Sequence, residues 1–406
     1  MLANAICGEG SARESPKGIS VGAKARSYSY KLDRRVALLI MTTLQKHAEL
    51  LPPVVSTGTL GWLRKNLFDT PLNGALTLLA LYLLYVTVPP FLDWALLQAD
   101  WSGTKSADCS RTGACWVFIG VRLNQFAYGF YPVAEQWRVN LTVALLVALV
   151  LPLFFRQFAW KRWLAAVILL AYPVIAFHLL VGGSFGLAHV ETSKWGGLFL
   201  TLVIAVVGMV AALPLGVLLA LGRRAENMPV LKALCVAFIE LWRGVPLITV
   251  LFMSSVMLPF FLPEGLNFDK LLRALIGVAL FEAAYMAEVV RGGLQGIPKG
   301  QYEAADALGL GYWRSTFLVV LPQALKLVIP GIVNTFIALF KDTSLVLIIG
   351  LFDLLGSIQA ANSDTNWLGF SVEGYVFAGC VYWVFCFGMS RYSQWLEVKL
   401  HTGHKR

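Results

Sequence analysis

Charge is what this sequence has least of. Only 14% of its 406 residues are Asp, Glu, Lys or Arg, where a soluble domain carries about a quarter. That deficit excludes a string of ordinary water-soluble domains, whose surfaces need charged side chains. Histidine is scarce as well, and His47, His178, His189, His401 and His404 show no metal-site spacing. The six cysteines include no C-x-x-C pair, so no metal centre is expected. The phosphate-binding pattern G-x-x-x-x-G-K-[ST] is missing, and GTKS at 103–106 lacks its spacing. Short alternating strands of the β-barrel kind are not seen, nor is an inverted repeat. The first 35 residues are polar, and the apolar run 36–41 falls short of the ~7–15 residues of a cleavable signal core.

What the sequence holds instead is apolar: 58% of its residues are hydrophobic. They gather into runs near the ~20 residues that a helix needs to cross hydrocarbon, where the backbone must satisfy its own hydrogen bonds. Eight such runs are expected, at 72–97, 140–155, 164–181, 196–221, 230–262, 272–290, 321–354 and 375–389. The fifth is too long for one straight span and is broken by Gly244 and Pro246. The formal net charge of +10 is topological and implies no nucleic-acid partner, because the basic residues collect in alternate connections. Arg34, Arg35, Arg64 and Lys65 precede the first run. Arg156, Lys161 and Arg162 follow the second, Arg223 and Arg224 the fourth, and Arg291, Lys299 and Arg314 the sixth. Arg391, Lys399, Lys405 and Arg406 follow the eighth. By the positive-inside rule these connections and both termini are cytoplasmic.

The expected organisation is a cytoplasmic tail at 1–70, three spans at 71–182 with an outer loop at about 98–137, a five-span part at 183–397 and a short cytoplasmic tail at 398–406. Cys109 and Cys115 fall in the outer loop, in CSRTGAC, where an oxidising compartment favours a disulfide; two unpaired thiols are the alternative. Cys235, Cys380 and Cys386 lie in apolar runs and read as packing residues.

The most informative stretch is the inner connection 291–323, RGGLQGIPKGQYEAADALGLGYWRSTFLVVLPQ. Gly296 and Pro298 end the sixth span. Glu303, Ala304 and Ala305 open a short helix, with Glu303 and Asp306 suited to its positive end. Ala304, Ala305, Ala307 and Leu308 give it an apolar side, and Gly309 and Gly311 stop it. Tyr312 and Trp313 suit a membrane interface. Such a helix is either a knob for another protein or an element lying on lipid.

Glu303-Ala304-Ala305, then Gly309, then Leu321-Pro322, between two membrane runs, resembles the EAA signature of ABC importer permeases. ELWRGVPL at 240–247, AYMAEVVRGGLQGIPKGQ at 284–301 and ALFKDTSLVLIIG at 338–350 are similar to matching segments of the polar amino acid uptake group. The resemblance covers about 195–397. The longer front half is similar to permease subunits of the general L-amino acid system of proteobacteria. It implies an all-α integral membrane protein of about eight transmembrane helices with a C-terminal five-helix, MetI-like permease core, in the bacterial inner membrane. It further implies a cytoplasmic ABC ATPase dimer gripping the coupling helix at about 301–313, a second permease chain (sister or identical), a periplasmic amino-acid-binding protein and an amino acid as cargo. Membrane lipid surrounds the chain. No cofactor is expected on this chain, since ATP and Mg belong to the partner ATPase, and the chain itself is not an enzyme.

An amino acid arrives as a zwitterion and needs donors for its carboxylate and acceptors for its ammonium group. Charged side chains inside membrane runs are costly and mark such paths. At ~1.5 Å per residue, Glu240 and Arg243 fall about half-way along the fifth run. Glu282 falls mid-way in the sixth, and Lys341 and Asp342 in the middle of the seventh. The expected cargo site is a midplane cavity lined by Arg243, Glu282, Lys341, Asp342, Thr343 and Ser344. Backbone N–H groups at a helix break near 342–344 could also bind the carboxylate. The structural alternatives are a Glu240–Arg243 pair, a pairing of Lys341 with Asp342 or Glu282, and a Glu288–Arg291 packing pair near the inner surface. The competing function is an ion-coupled secondary amino acid transporter using Glu240, Glu282 and Asp342 as proton carriers. A membrane enzyme or receptor is a third reading. Neither alternative needs the helix at 303–310.

Overall fold

A computed structural model describes residues 58–155, 160–184, 186–263 and 268–400. The basic residues placed before position 58, Arg156, and the C-terminal Lys405 and Arg406 lie outside the described residues, as does Glu264. The chain divides into two units, Met1–Val86 and Thr87–Arg406. In the first, helix α1 (Gly58–Leu67) is followed by the start of α2 (Pro71–Leu92). The Thr70 hydroxyl accepts the Asn73 N–H (3.2 Å), as an N-cap does, and the Thr77 hydroxyl donates to the Leu67 carbonyl (2.8 Å). Helix α2 is apolar on every side and buries no residue, the composition of a lipid-facing span.

The second unit begins with the end of α2, where Pro89 and Pro90 withhold two backbone donors and the helix widens into a π-turn at Asp93–Leu97. Among the described residues, six helical stretches are long and apolar enough to cross a membrane: Pro71–Leu97, Val133–Leu153, Lys161–Val181, Gly197–Arg223, Ile329–Ile349 and Ser371–Leu400. A bent pair, Pro229–Gly244 with Leu247–Phe261, makes a seventh if it is one span. The remaining expected run corresponds to a 26-residue helix, Lys270–Gln295, that carries Arg273, Glu282, Glu288 and Arg291. Each expected run thus has its helix.

The outer loop is not a loop throughout. It contains helix α3 (Trp116–Tyr128), which packs against the outer ends of the bundle. Helix α4 (Gln136–Phe154) and the span α5 (Lys161–Val181) follow. Arg138, fully buried in α4, donates to the Ala188 carbonyl (2.8 Å) and pairs with Glu135 (2.6 Å), pinning α4 to the turn after α5. Ring contacts join Phe118 to Trp367 (5.4 Å) and Phe126 to Phe377 (5.7 Å), and an ion pair joins Arg122 to Asp364. The chain then passes so close to itself that a Cβ on Gly129 (φ 66°) would stand 2.2 Å from the Gly196 Cα. Only glycine fits there.

The centre of the second unit is the pair α6 (Gly197–Arg223) and α9 (Lys270–Gln295), which run parallel. Gly208, Ala212, Gly216 and Ala220 form a buried stripe of small residues at four-residue spacing on α6. Through it α9 approaches closely, with Val278 at Gly208 and Met286 and Ala287 at Gly216, while Leu339 from the later helix Ile329–Asp342 also reaches Gly208. Lipid gives helices little hydrophobic reason to associate, so close packing through small residues supplies it. Helix α9 is capped by the Asp269 carboxylate, which accepts from the N–H groups of Leu271 (2.9 Å) and Leu272 (3.2 Å).

Between them, α7 (Pro229–Gly244) meets α8 (Leu247–Phe252, prolonged to Phe261) at 103°. Val245 is forced extended by the following proline, which is the break that Gly244 and Pro246 foretold. The seventh run departs from expectation. It is not one helix from 321 but α11 (Leu321–Leu327), an interruption at Val328, then α12 (Ile329–Asp342). Pro330 lacks an N–H and so sits in the first turn of a new helix. A tighter 3-10 helix, Thr343–Ile349, continues α12 to Gly350, whose φ of 74° ends it. Helix α13 (Leu354–Asn362) and the last span α14 (Ser371–Leu400) complete the unit.

Candidate functional site

The inner connection forms helix α10 (Lys299–Ala307). It starts a turn earlier than the sequence suggested, because Pro298 with φ −58° is the N-cap. Glu303 and Asp306 therefore lie along the helix and not in its first turn, so the dipole argument for them fails. The C-terminus closes as expected. Gly309 adopts φ 70°, its N–H donates to Asp306 O (2.9 Å), and the Leu310 N–H reaches Ala305 O (3.1 Å), the two bonds of a Schellman ending. Gly311 does not stop this helix but caps the next turn, Tyr312–Ser315. A π-turn at Thr316–Val320 then leads to Leu321, which is buried, and Pro322, which is exposed.

The apolar side of α10 is also not where amphipathic logic put it. Ala305 is buried, while Glu303, Ala304, Ala307 and Leu308 face outward, Leu308 at 79% exposure. Meanwhile α10 is held firmly from behind. Arg224, at the end of α6, donates to the Tyr302 hydroxyl (2.9 Å) and lies over its ring (5.5 Å). Tyr302 in turn donates to the Leu294 carbonyl at the end of α9 (3.3 Å), and Gln323 donates to Gln301 Oε1 (3.0 Å). The result is a fixed helix presenting acidic, small and apolar side chains away from its own chain.

The charged groups separate into two sets. Glu240 and Arg243 do not pair with each other and do not lie half-way across. Cys235 packs on Gly222, so α7 crosses the inner end of α6 rather than running back along it. Counting rise along a straight helix failed there because α7 lies across the bundle end before its bend. Glu240 pairs with Arg223 (3.1 Å), and Arg243 approaches Glu288 (3.7 Å) and the Tyr285 ring (5.8 Å). Glu288 also receives Arg223 (2.5 Å) and Arg291 (2.7 Å), so one carboxylate is shared by three guanidiniums from three helices. The Glu288–Arg291 contact is thus part of a larger inner network.

The second set is deeper. Glu282 is buried in α9, a turn beyond Val278, which meets Gly208 together with Leu339 of α12. Lys341 and Asp342 end α12. Among the described residues neither Glu282, Lys341 nor Asp342 has an ion-pair partner within 4 Å. The expected backbone break at 342–344 is absent, because α12 tightens into the 3-10 helix without interruption. The Thr343 hydroxyl donates to Phe340 O (2.8 Å) and that of Ser344 to Lys341 O (2.9 Å). Thr343 is buried and Ser344 half-buried. The structure therefore brings Glu282, Lys341, Asp342 and Ser344 to one region and sets Arg243 a turn or more toward the inner network.

On the outer side, Cys109 and Cys115 are joined by a disulfide with their Cα atoms 5.7 Å apart. The Cys115 N–H donates to Glu373 Oε1 (3.1 Å), at the start of α14. Sequence reasoning gave no sign of this tie, whose partners lie 258 residues apart.

A multi-span bundle with an acid buried among its helices and a fixed, outward-presented helix between two of them has the form of a membrane translocation subunit. The description "Binding-protein-dependent transport system inner membrane component" matches residues 212–402. The chain is 58% identical to the inner membrane amino-acid ABC transporter permease protein YhdY of Escherichia coli K12, over 86% of this chain and 95% of that protein. It is 41% identical to the glutamate/glutamine/aspartate/asparagine transport system permease protein BztC of Rhodobacter capsulatus, over 87% and 96%. It is 34% identical to the probable glutamine ABC transporter permease protein GlnP of Bacillus subtilis, over 50% of this chain and 92% of that one. The chain belongs to this family of binding-protein-dependent inner-membrane transport components, the permeases of ABC importers. It is a multi-pass inner-membrane transporter subunit and not an enzyme, and the ion-coupled alternative is set aside.

Proposed function

We propose that this chain carries amino acids across the inner membrane, driven by a separate ABC ATPase dimer that grips α10. The observation that carries the reading is α10 itself, whose Glu303, Ala304, Ala307 and Leu308 are exposed while Arg224 and Tyr302 fix it to the ends of α6 and α9. A helix so held transmits a push and does not absorb it. Amino acid cargo is supported by the relatives, which are amino-acid transport permeases, and by buried Glu282 with half-buried Asp342 and exposed Lys341, none of them in an ion pair among the described residues. Glu282 and Asp342 suit an ammonium group, and Lys341 with Ser344 suits a carboxylate. Arg243 meets the carboxylate on the inner side, and Thr343 shapes the site from behind. ATP and Mg are bound by the ATPase.

A second permease chain, sister or identical, completes the path, and a periplasmic amino-acid-binding protein delivers the cargo. Both termini are cytoplasmic. The tail at 1–70, the three spans at 71–182, the core at 183–397 and the end at 398–406 keep the division given above. It is supported by the Bacillus relative, 92% of which matches only half of this chain. ATP binding draws the coupling helices together and favours the outward-open state, and hydrolysis resets the inward one, each step a shift between two populations.

The test is uptake of a panel of radiolabelled amino acids into cells carrying wild type, Glu303→Arg or Asp342→Ala, with membrane expression measured. Glu303→Arg is expected to block ATP-dependent uptake of every amino acid, and Asp342→Ala to change which ones enter. Normal uptake by Glu303→Arg, following the proton gradient, would overturn the reading.

A further inference from the structure

We infer that Tyr382 is a positioning residue for the cargo site, holding the Lys341–Ser344 segment in register with the outer helix α13. The inference rests on the cargo region proposed above. Tyr382 stands on α14 and its side chain reaches two other elements. Its ring meets Phe340, in the last turn of α12, edge to face at 5.5 Å. Its hydroxyl donates to Asp353 Oδ2 at 2.9 Å. Thr343 and Thr201 give their own hydroxyl protons to Phe340 O and Gly197 O. Asp353 is fully buried and is the N-cap of α13, accepting from Gly356 N–H (2.9 Å) and Leu355 N–H (3.3 Å). Thr201, also fully buried, accepts the Leu354 N–H (3.0 Å) and donates to Gly197 O (3.3 Å) on α6.

Tyr382 therefore ties Phe340, the residue before Lys341, to the cap of α13, and Thr201 ties the start of α13 to the first turn of α6. Buried polar groups without partners are expensive, and a fully partnered set admits few alternative arrangements. Phe340 is buried against the Tyr382 ring, and Lys341 and Asp342 follow it on a continuous helical backbone. A network of this kind fixes where two charges stand, which is what a site for a zwitterion requires. Nothing in it touches the cargo, so its influence must pass through Lys341 and Asp342.

The test is equilibrium binding of radiolabelled L-glutamine and L-glutamate to the full permease–ATPase complex in lipid nanodiscs, without binding protein. Wild type, Tyr382→Phe, Asp353→Asn, Asp353→Ala and Asp342→Ala are compared, with thermal unfolding of each. Tyr382→Phe keeps the ring contact and removes one hydrogen bond, so binding should weaken by about three- to tenfold while the unfolding temperature stays near wild type. Asp353→Asn keeps one carbonyl oxygen, enough for Tyr382 or for the Gly356 N–H but not both, so it should bind between wild type and Asp353→Ala, and Asp353→Ala should weaken binding at least as much as Tyr382→Phe. Unchanged binding by Tyr382→Phe, with Asp342→Ala binding lost, would overturn the positioning role and leave the cargo site standing. Unchanged binding by Asp342→Ala would remove the cargo site and this inference with it.

Discussion

Replacing Gly216 by alanine sets two effects against each other. Alanine is favoured over glycine inside a helix by about 0.5–1 kcal/mol, so propensity alone predicts stabilisation. A Cβ at this position, however, would stand 2.6 Å from Met286 Cβ, 2.7 Å from its Cγ and 3.0 Å from the Ala287 nitrogen. None of these is the free end of a side chain, and Met286 and Ala287 are both fully buried, so nothing can swing aside. Helices α6 and α9 must separate by roughly 1 Å along their shared seam. Overpacking of that sort costs typically ~1–3 kcal/mol, and it also loosens the contacts at Gly208 on the same stripe. The clash therefore outweighs the propensity gain, with a net loss of about 1–2 kcal/mol. Gly388 on α14 is the control, since a Cβ there meets nothing within 4 Å in this chain. Gly216→Ala should lower the unfolding temperature of the detergent-solubilised protein by a few degrees, and Gly388→Ala should leave it unchanged or raise it. A Gly216→Ala protein as stable as Gly388→Ala would refute the packing argument and the parallel α6–α9 seam with it.

Two further outcomes follow from the same geometry. Glu288→Gln leaves Arg223, Arg243 and Arg291 around a neutral amide; because these side chains are 25–35% exposed, water screens much of the loss, and the destabilisation should be about 1–2 kcal/mol by thermal unfolding. Restoration of stability by adding Arg243→Gln would confirm that repulsion among the arginines is the cause, and no recovery would refute it. Cys115→Ser opens the disulfide but keeps the backbone N–H that meets Glu373, so hydrogen exchange should rise across 99–114 while α3 stays protected; loss of protection in α3 would show that the disulfide, not the aromatic packing on Trp367 and Phe377, anchors the outer helix.

What could be read from the sequence depended on whether the cause was local. Membrane runs announce themselves by composition, and every expected run has its helix. Gly244 with Pro246, Gly309, and Asp269 act on their immediate neighbours, so a break and a stop could be placed and the cap falls at the start of its run. Helix α3 escaped because its sequence, WVFIGVRLNQFAY, mixes charge with apolar residues and gains its order from Trp367, Asp364 and Glu373, far along the chain. The stripe Gly208, Ala212, Gly216, Ala220 was visible as a four-residue period and would have identified the seam of the bundle.

The candidate site divides the same way. Glu282, Lys341 and Asp342 could be singled out because charge inside an apolar run is rare; in the fold Glu282 is buried, Asp342 half-buried and Lys341 exposed. Arg243 could not be placed, because its depth depends on the direction of α7, which no local signal states. Its true neighbours, Glu288 and Tyr285, lie on α9 just inward of Glu282. One helix therefore carries both the buried acid of the cargo region and the acid that three guanidiniums share, six residues or about 9 Å apart. That same helix ends against Tyr302 and is fixed to α6 through Gly216. A displacement of α10 reaches the cargo region both through α9 and, by way of Gln323, through α11 and α12, so loosening the Gly216 seam should weaken transport even where Glu282, Lys341 and Asp342 are intact.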